Sequence, residues 1–179
     1  MQHFKSPQEL IDHLNIYGPQ TIVDFGAGAG LLALPLARKL SPVNGKLYAV
    51  DIQEGPLEVL RAAARKAHLY HIETLRGNLE KIGGSKLKDG MANWVFVANM
   101  LFQAPDKETV LNEAFRILKN HGTLVLVEWH PETAHRVGPK GEHRIPKATL
   151  FDIVRSAGFI SLSEFALGEH HHGLIAKKA

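Results

Sequence analysis

Thr21-Ile22-Val23-Asp24-Phe25-Gly26-Ala27-Gly28-Ala29-Gly30 is the stretch on which the fold turns. Its first five residues form a β-branched and aromatic run with a single acid, which reads as a buried strand. The run breaks at three glycines in alternate positions. Leu31 to Leu40 then reads as a helix in spite of Pro35, which should remove a hydrogen bond or kink it. Strand, glycine turn and helix in that order make a place where backbone can approach a ligand closely, because no Cβ stands in the way. A second anchor closes the next apolar run, Tyr48-Ala49-Val50-Asp51-Ile52. A carboxylate about 20 residues beyond the glycines can accept both ribose hydroxyls of an adenosine.

Outward from this unit, short apolar runs keep alternating with helical patterns. Lys46 to Val50 reads as strand and Leu57 to Ala67 as helix, and Ile72 to Leu75 is a short strand. Trp94 to Ala98 reads as strand, Glu108 to Leu118 as helix and Gly122 to Glu128 as strand. Alternation of this kind predicts a parallel sheet with helices on both faces. Ahead of it, Ser6-Pro7-Gln8-Glu9 carries a cap, a first-turn proline and the acid of a capping box, so a helix starts there and ends before Gly18-Pro19. The tail departs from the alternation. After a helix over Lys147 to Ala157, the runs Phe159 to Phe165 and Gly173 to Ala176 are too close in sequence for a crossover helix, so they predict an antiparallel hairpin at the sheet edge. The expected architecture is α/β: one Rossmann-like domain over 1–179, with a seven-stranded, mostly parallel sheet ending in that hairpin.

The chain has 179 residues, 45% apolar and 22% charged, with no cysteine. One domain of this size builds a core without disulfide or zinc staples. The missing cysteines exclude a thiolate nucleophile and thiol-dependent chemistry. Net charge is +3, and the basic residues are spread along the chain apart from Arg136, Lys140, Arg144 and Lys147. That group reads as a solvated loop or a local site for an anionic acceptor, and the spread argues against a nucleic-acid-binding face. The first residues lack the apolar core of a signal peptide, and no apolar run reaches the roughly 20 residues of a membrane span, so a cytoplasmic protein is expected.

The glycines alone admit a dinucleotide, since Gly28-x-Gly30-x-x-Ala33 fits the looser fingerprint. Two features weigh against it. Asp24, just ahead of the turn, would repel a pyrophosphate but suit a cationic ligand. The terminal hairpin also stands where a dinucleotide fold would repeat a second mononucleotide half.

With these residues in view, the chain resembles the class I S-adenosylmethionine-dependent methyltransferases, and most closely the small-molecule enzymes of ubiquinone and menaquinone biosynthesis. Val23 to Gly30 is similar to their first motif and Ala49 to Ile52 to their second. Gly77-Asn78-Leu79-Glu80 stands at the third, with Asn78 in place of the usual aspartate. Val97 to Leu101 resembles the segment after the fourth strand, and Ala114 to Gly122 the turn before the fifth, with Asn120-His121 where proline and glycine are usual. The ending also resembles a subgroup, through Gly138-Pro139, Arg144-Ile145, Ala157-Gly158-Phe159 and His171-His172-Gly173-Leu174.

The resemblance implies S-adenosylmethionine as methyl donor, S-adenosylhomocysteine as product and a small-molecule acceptor. It implies that Gly26, Ala27 and Gly28 approach the methionine part, that Asp24 balances its ammonium and that Asp51 holds the ribose. Ile52 would pack on the adenine, Asn78 and Leu79 would meet its edge, and Asn99 would line the methionine end. A non-catalytic adenosine-binding domain and a small NAD-dependent oxidoreductase are the alternatives.

For chemistry, Glu128-Trp129-His130 ends the fifth strand of the alternation, at the edge where open α/β sheets bind ligands. His130 and Glu128 are therefore candidate catalytic groups, against the plainer reading that they tie down the following loop. There are 11 histidines, seven of them at or after His121. His130, His135 and His143 do not have a metal-ligand spacing, and no metal is expected. His170-His171-His172 reads as the surface of an edge strand. If that run is strand, at least one of the three points into the mouth of the sheet, and the resemblance gives it a substrate-side role. Acceptor choice would fall to the N-terminal helix, the Asn99 to Asp106 loop and the Trp129 to Pro146 stretch.

Overall fold

A computed structural model gives the architecture for residues 1–132 and 137–179. In chain order the elements are β1 (Gln2–Phe4), α1 (Pro7–His13), β2 (Thr21–Phe25), α2 (Ala33–Ala37), β3 (Lys46–Asp51), α3 (Glu54–Lys66) and β4 (Ile72–Arg76). Then come β5 (Ala92–Ala98), α4 (Lys107–Ile117), β6 (Leu118–Trp129), α5 (Lys147–Ser156), β7 (Phe159–Leu167) and β8 (His171–Lys178). Eight strands form one sheet in the order β1-β7-β8-β6-β5-β2-β3-β4. The block from β4 to β6 is parallel, β8 runs antiparallel to β6, and β7 pairs antiparallel with β8. This is the expected doubly covered α/β sheet, in which strands buried on both faces read as continuous apolar runs. On one face Ile22, Phe96, Val125 and Val127 pack with Leu10, Ile11 and Leu36 of α1 and α2. On the other, Val23, Val95, Leu124 and Leu126 pack with Leu111, Ile117 and Leu150 of α4 and α5.

Four details correct the sequence reading. The sheet has an eighth strand: β1 pairs in parallel with β7, matching Gln2, His3 and Phe4 to Phe165, Ala166 and Leu167. The hairpin is therefore not the bare edge, because β1 covers the end of β7. The second helix is only five residues long. Leu34 N donates to Gly30 O at 3.1 Å and Leu36 N to Leu32 O at 3.0 Å, so Pro35 between them costs the one bond of this series that an N–H would have made to Leu31 O, as expected. The strand expected over Gly122 to Glu128 begins at Leu118, with the ladder interrupted between Ala92–Leu118 and Trp94–Thr123. His121, inside that interruption, takes a left-handed backbone (φ +62°). Finally, the cap of α1 is half as expected. Ser6 Oγ accepts from Glu9 N at 3.2 Å, but the Glu9 carboxylate reaches one residue further back and accepts from Lys5 N at 2.7 Å.

Candidate active site

The glycine turn leaves β2 at the carboxyl edge of the sheet. Gly26 N and Ala27 N both donate to Val50 O of the neighbouring strand, at 2.8 and 3.2 Å, which presses the turn against β3. Gly26 has φ +69°, and a Cβ there would lie 2.8 Å from Met100 Cβ, so no side chain fits. Gly28 has φ +51° and faces open space, with nothing within 4 Å of where a Cβ would stand. Asp51, at the end of β3, accepts from Gly28 N through one oxygen and from Gln53 N through the other, both at 2.9 Å. Each oxygen keeps a free lone pair, so the carboxylate is already oriented for a ligand's hydroxyls.

Two cavities meet over this turn and share Gly26, Gly28 and Asn99. One, of about 380 Å³, is lined by Asp51, Ile52, Asn78, Leu79, Met100 and Gln103 among others. Ile52 is half exposed at its wall, as an apolar side chain awaiting a flat ligand would be. Asn78 Oδ1 accepts from Glu80 N at 3.0 Å and so shapes its own loop, which leaves the amide N–H groups for a ligand. The other cavity, of about 470 Å³, is lined by Asp24, Ala27, Leu10, Ile11, Leu32, Phe96 and Val127, and by the β7–β8 turn from Leu167 to His171.

Two residues of this second cavity carry a buried polar atom without a hydrogen-bond partner among the described residues, Asp24 (Oδ2) and Asn99 (Oδ1), and Asn99 is shared with the first. Asp24 is 2% exposed. Burial, and then the neighbouring Asp51 charge, push its carboxyl up to about 7 against the opposing Ala33 N–H. A cationic group would reverse that shift. Asn99 holds a left-handed backbone (φ +51°), fixed by its N–H on Val127 O at 2.9 Å and its carbonyl under Gln103 Nε2 at 3.2 Å. A half-buried residue in a left-handed backbone at this edge is a signal that sequence spacing does not carry.

All nine residues expected at the donor line one cavity or both: Asp24, Gly26, Ala27, Gly28, Asp51, Ile52, Asn78, Leu79 and Asn99. The two catalytic candidates do not. Glu128 is fully buried, and its Oε1 accepts from Leu101 N at 2.8 Å and Phe102 N at 3.3 Å. It thus pins the loop after β5, the plainer of its two readings. Burial raises its carboxyl to about 7, against those N–H groups. His130 donates its backbone N–H to His170 O at 2.7 Å, accepts Glu132 N on Nδ1 at 3.2 Å and packs edge-on against His172. Side chains alternate along β6, so Val127 lines the groove while Glu128 and His130 fall on the opposite face.

The histidine run is not an exposed surface either. His172 is 1% exposed, with both ring nitrogens unpartnered among the described residues, and burial followed by the His130 and Lys147 charges lowers it to about 4. Of the basic group, Arg144 is buried and donates to the carbonyls of Pro139, His130 and Val137, and Lys147 pairs with Glu164 at 2.7 Å. Arg136 and His135 lie outside the described residues. The acceptor-side expectations hold for α1 and for Asn99. The described part of Trp129 to Pro146 does not line the groove; the β7–β8 turn stands there instead, and of the histidine run from which one member was expected at the mouth of the sheet, His170 and His171 line the cavity.

A doubly wound α/β sheet with a groove over its glycine turn and a buried acid on the groove's wall is a fold of the Rossmann-like class. Residues 23–126 match the methyltransferase-domain family, and the chain belongs to it. The demethylmenaquinone methyltransferase of Lactococcus lactis is 33% identical over 112 residues, which cover 62% of this chain and 43% of that protein. The chain spans about half the length of the curated relatives it matches. Among solved structures, a SAM-dependent methyltransferase from Aquifex aeolicus superposes with a TM-score of 0.87 at 23% identity, covering 98% of this chain and 91% of the other. The cyclase SpnF superposes at 0.78 with 14% identity, covering 96% and 80%. Both likenesses are of fold alone.

Proposed function

We propose that the chain transfers a methyl group from S-adenosylmethionine to a small, largely apolar acceptor and releases S-adenosylhomocysteine. The observation that carries this reading is the meeting of the two cavities at Gly26, Gly28 and Asn99, with Asp24, which carries a buried unpartnered oxygen, on the wall of one of them. In this reading Asp51 takes the ribose hydroxyls, Ile52 covers the adenine face, and Asn78 and the Leu79 backbone meet the adenine edge. Asp24 faces the ammonium of the methionine part, and Asn99 supplies a polar atom beside it. When bound, the donor supplies an already activated methyl. The protein's own work is then to hold an acceptor atom about 3–3.5 Å away and in line, which alone lowers the barrier by several kcal/mol.

The acceptor half has mainly apolar walls, and of the basic group Arg144 and Lys147 are committed to the protein's own acceptors. This supports an apolar acceptor in place of an anionic one. The relatives named as demethylmenaquinone methyltransferases point the same way, toward a quinone-type ring. A cytoplasmic location belongs to the same reading; among the described residues no helix is long and apolar enough to cross a membrane. Glu128 is assigned the support of the loop over 101–102, and His130 the anchoring of the loop that follows β6.

Titration calorimetry with S-adenosylhomocysteine and with NAD tests the donor. Micromolar binding of the first and none of the second is expected, and the reverse result would overturn the reading. The same fold in a cyclase makes turnover a separate question. Formation of S-adenosylhomocysteine with an aromatic acceptor present answers it, and binding without turnover would leave a donor-binding domain.

A further inference from the structure

Glu80 is where two walls of the donor half are joined. Asn78, Leu79 and Glu80 line the cavity of about 380 Å³ from the loop after β4, and Asn99, Gln103 and Ala104 line it from the segment after β5. That second wall is fixed by bonds of its own: Glu128 holds Leu101 and Phe102, and Lys107 Nζ donates to Ala104 O at 2.7 Å. The first wall is folded tightly at Asn78, where a Cβ on Gly84 would fall 1.8 Å from Asn78 O. Glu80 acts in two directions from there. Its backbone N–H donates to Asn78 Oδ1 at 3.0 Å, and its Oε2 accepts from Asp106 N, 26 residues further on, at 3.0 Å.

Asp106 is the N-cap of α4, and its hydrogen bonds show what Glu80 replaces. In a capping box the N-cap side chain accepts from the third helical residue, and a glutamate or glutamine at that residue reaches back to the N-cap N–H. Here the third residue is Thr109. Its N–H donates to Asp106 Oδ1 at 3.0 Å, and its hydroxyl is spent on Asp106 Oδ2 at 2.6 Å. The N-cap N–H therefore takes its acceptor from the other wall of the donor cavity. A glutamate at the third position would cap the helix as well, but only Glu80 also fixes the distance between the two walls.

Resting on the methyltransferase reading above, we infer that Glu80 is a positioning residue for the donor: it ties the loop that carries Asn78 and Leu79 to the start of α4 and so sets the width of the adenine half. Without this bond the loop over 77–80 takes wider positions, and binding has to gather it in. Apparent affinity then falls in proportion to the fraction of molecules whose walls are correctly spaced. One hydrogen bond from a backbone N–H to a carboxylate corresponds to a factor of about 5 to 10. The loss falls on whatever carries the adenosine part, and not on the methyl-transfer step.

The test titrates wild type, Glu80→Ala and Glu80→Gln with S-adenosylhomocysteine and with methylthioadenosine, which keeps the adenine and ribose but has no ammonium. Glu80→Ala should weaken both ligands by the same factor, about 5- to 10-fold. Glu80→Gln keeps an oxygen that can accept from Asp106 N, and should stay within about twofold of wild type. In turnover, Glu80→Ala should raise the donor KM by that same factor and leave kcat at saturating donor within about twofold. The double variant Glu80→Ala/Thr109→Glu separates positioning from helix stability. Its local glutamate completes the capping box, so the melting temperature should return to the wild-type value while the affinity stays low. Recovery of affinity together with stability overturns the proposal. So does a loss in Glu80→Ala that falls on S-adenosylhomocysteine and spares methylthioadenosine, or no loss at all. Failure of the wild type to bind either ligand sinks the methyltransferase reading instead, so the two failures are told apart.

Discussion

Two buried carboxylates, Glu113 on α4 and Asp24 at the end of β2, show how one chemical group is used in opposite ways. Glu113 is completely satisfied. It accepts from Gly83 N at 2.8 Å, from Ser85 N at 3.1 Å and Ser85 Oγ at 2.5 Å, and from Arg116 at 2.7 and 2.8 Å. Burial works to raise its carboxyl, but Arg116, the Ser85 hydroxyl and the two backbone N–H groups outweigh it and hold the group near 2. Arg116 extends the knot to Leu87 O and to Asp89, so the loop after β4 is tied to α4 along its length. Asp24 is as deeply buried, but one of its oxygens is left without a partner and its carboxyl rises to about 7. The first arrangement stabilises the fold. The second leaves a cost in the free protein that a cationic ligand would remove, which is the mark of a binding site.

Breaking the satisfied member should have the largest effect. Glu113→Ala leaves Arg116 and three other donors without their acceptor, and a loss of about 3–5 kcal/mol, or roughly 10 °C in melting temperature, is expected by calorimetry. Affinity for S-adenosylhomocysteine in the cold should stay within about threefold. Next comes Asp51→Ala, which removes a charged acceptor of two hydroxyls. It should weaken S-adenosylhomocysteine binding by roughly 10- to 100-fold, and unchanged affinity would remove Asp51 from the ribose site.

Asp24→Asn sharpens the comparison from the other side. It should weaken binding by about tenfold and yet raise the melting temperature of the free protein at pH 8, because no charge then has to be buried there. The two acids also carry opposite pH signatures. The folded pKa of Glu113 lies below its unfolded value, so its contribution is full above about 4.5 and is lost as pH falls toward 2. The folded pKa of Asp24 lies above its unfolded value, so the protonated acid fits best below about 4 and stability is lost as pH rises through 7. Urea unfolding of wild type and Asp24→Asn should therefore give similar stabilities at pH 4 and favour the variant at pH 8. Glu128, raised to about 7 as well, adds a loss of the same sign to both proteins and cancels in the difference. The smallest effect belongs to Glu128→Gln. The amide oxygen can still accept from Leu101 N and Phe102 N, so binding of S-adenosylhomocysteine should change by less than about threefold.

The donor half of the groove was legible in the sequence because its chemistry is local. Gly26 and Gly28 need backbone angles that other residues avoid, and Asp51 stands at a fixed spacing from them on a strand end. Of the wall formed by Leu167 to His171 only the histidine run was legible, and not which of its members faces the groove, because that depends on where a hairpin lands beside β6, and register is a tertiary property. The same holds for Glu128. Its strand is apolar on both faces, so alternation gives no sign of which residues look into the groove. His172 is buried because it pairs across the ladder from Glu128, a match that no spacing along the chain encodes. β1 is three residues with no periodicity to read, and only its partner β7 makes it a strand.

That short strand has a consequence for the order in which the molecule is made. Gln2 to Phe4 can find Phe165 to Leu167 only after the long stretch between them has been synthesised, and Gly168 N closes the junction on Phe4 O at 2.7 Å. The donor half needs only β2 to β5 and the helices between them, all of which leave the ribosome earlier and pair with near neighbours. The cavity beside α1 needs two segments far apart in sequence, β1 and β7, to meet, the slowest class of contact for a polymer to form. A nascent or truncated chain would thus hold a nucleoside pocket before it has anywhere to put an acceptor.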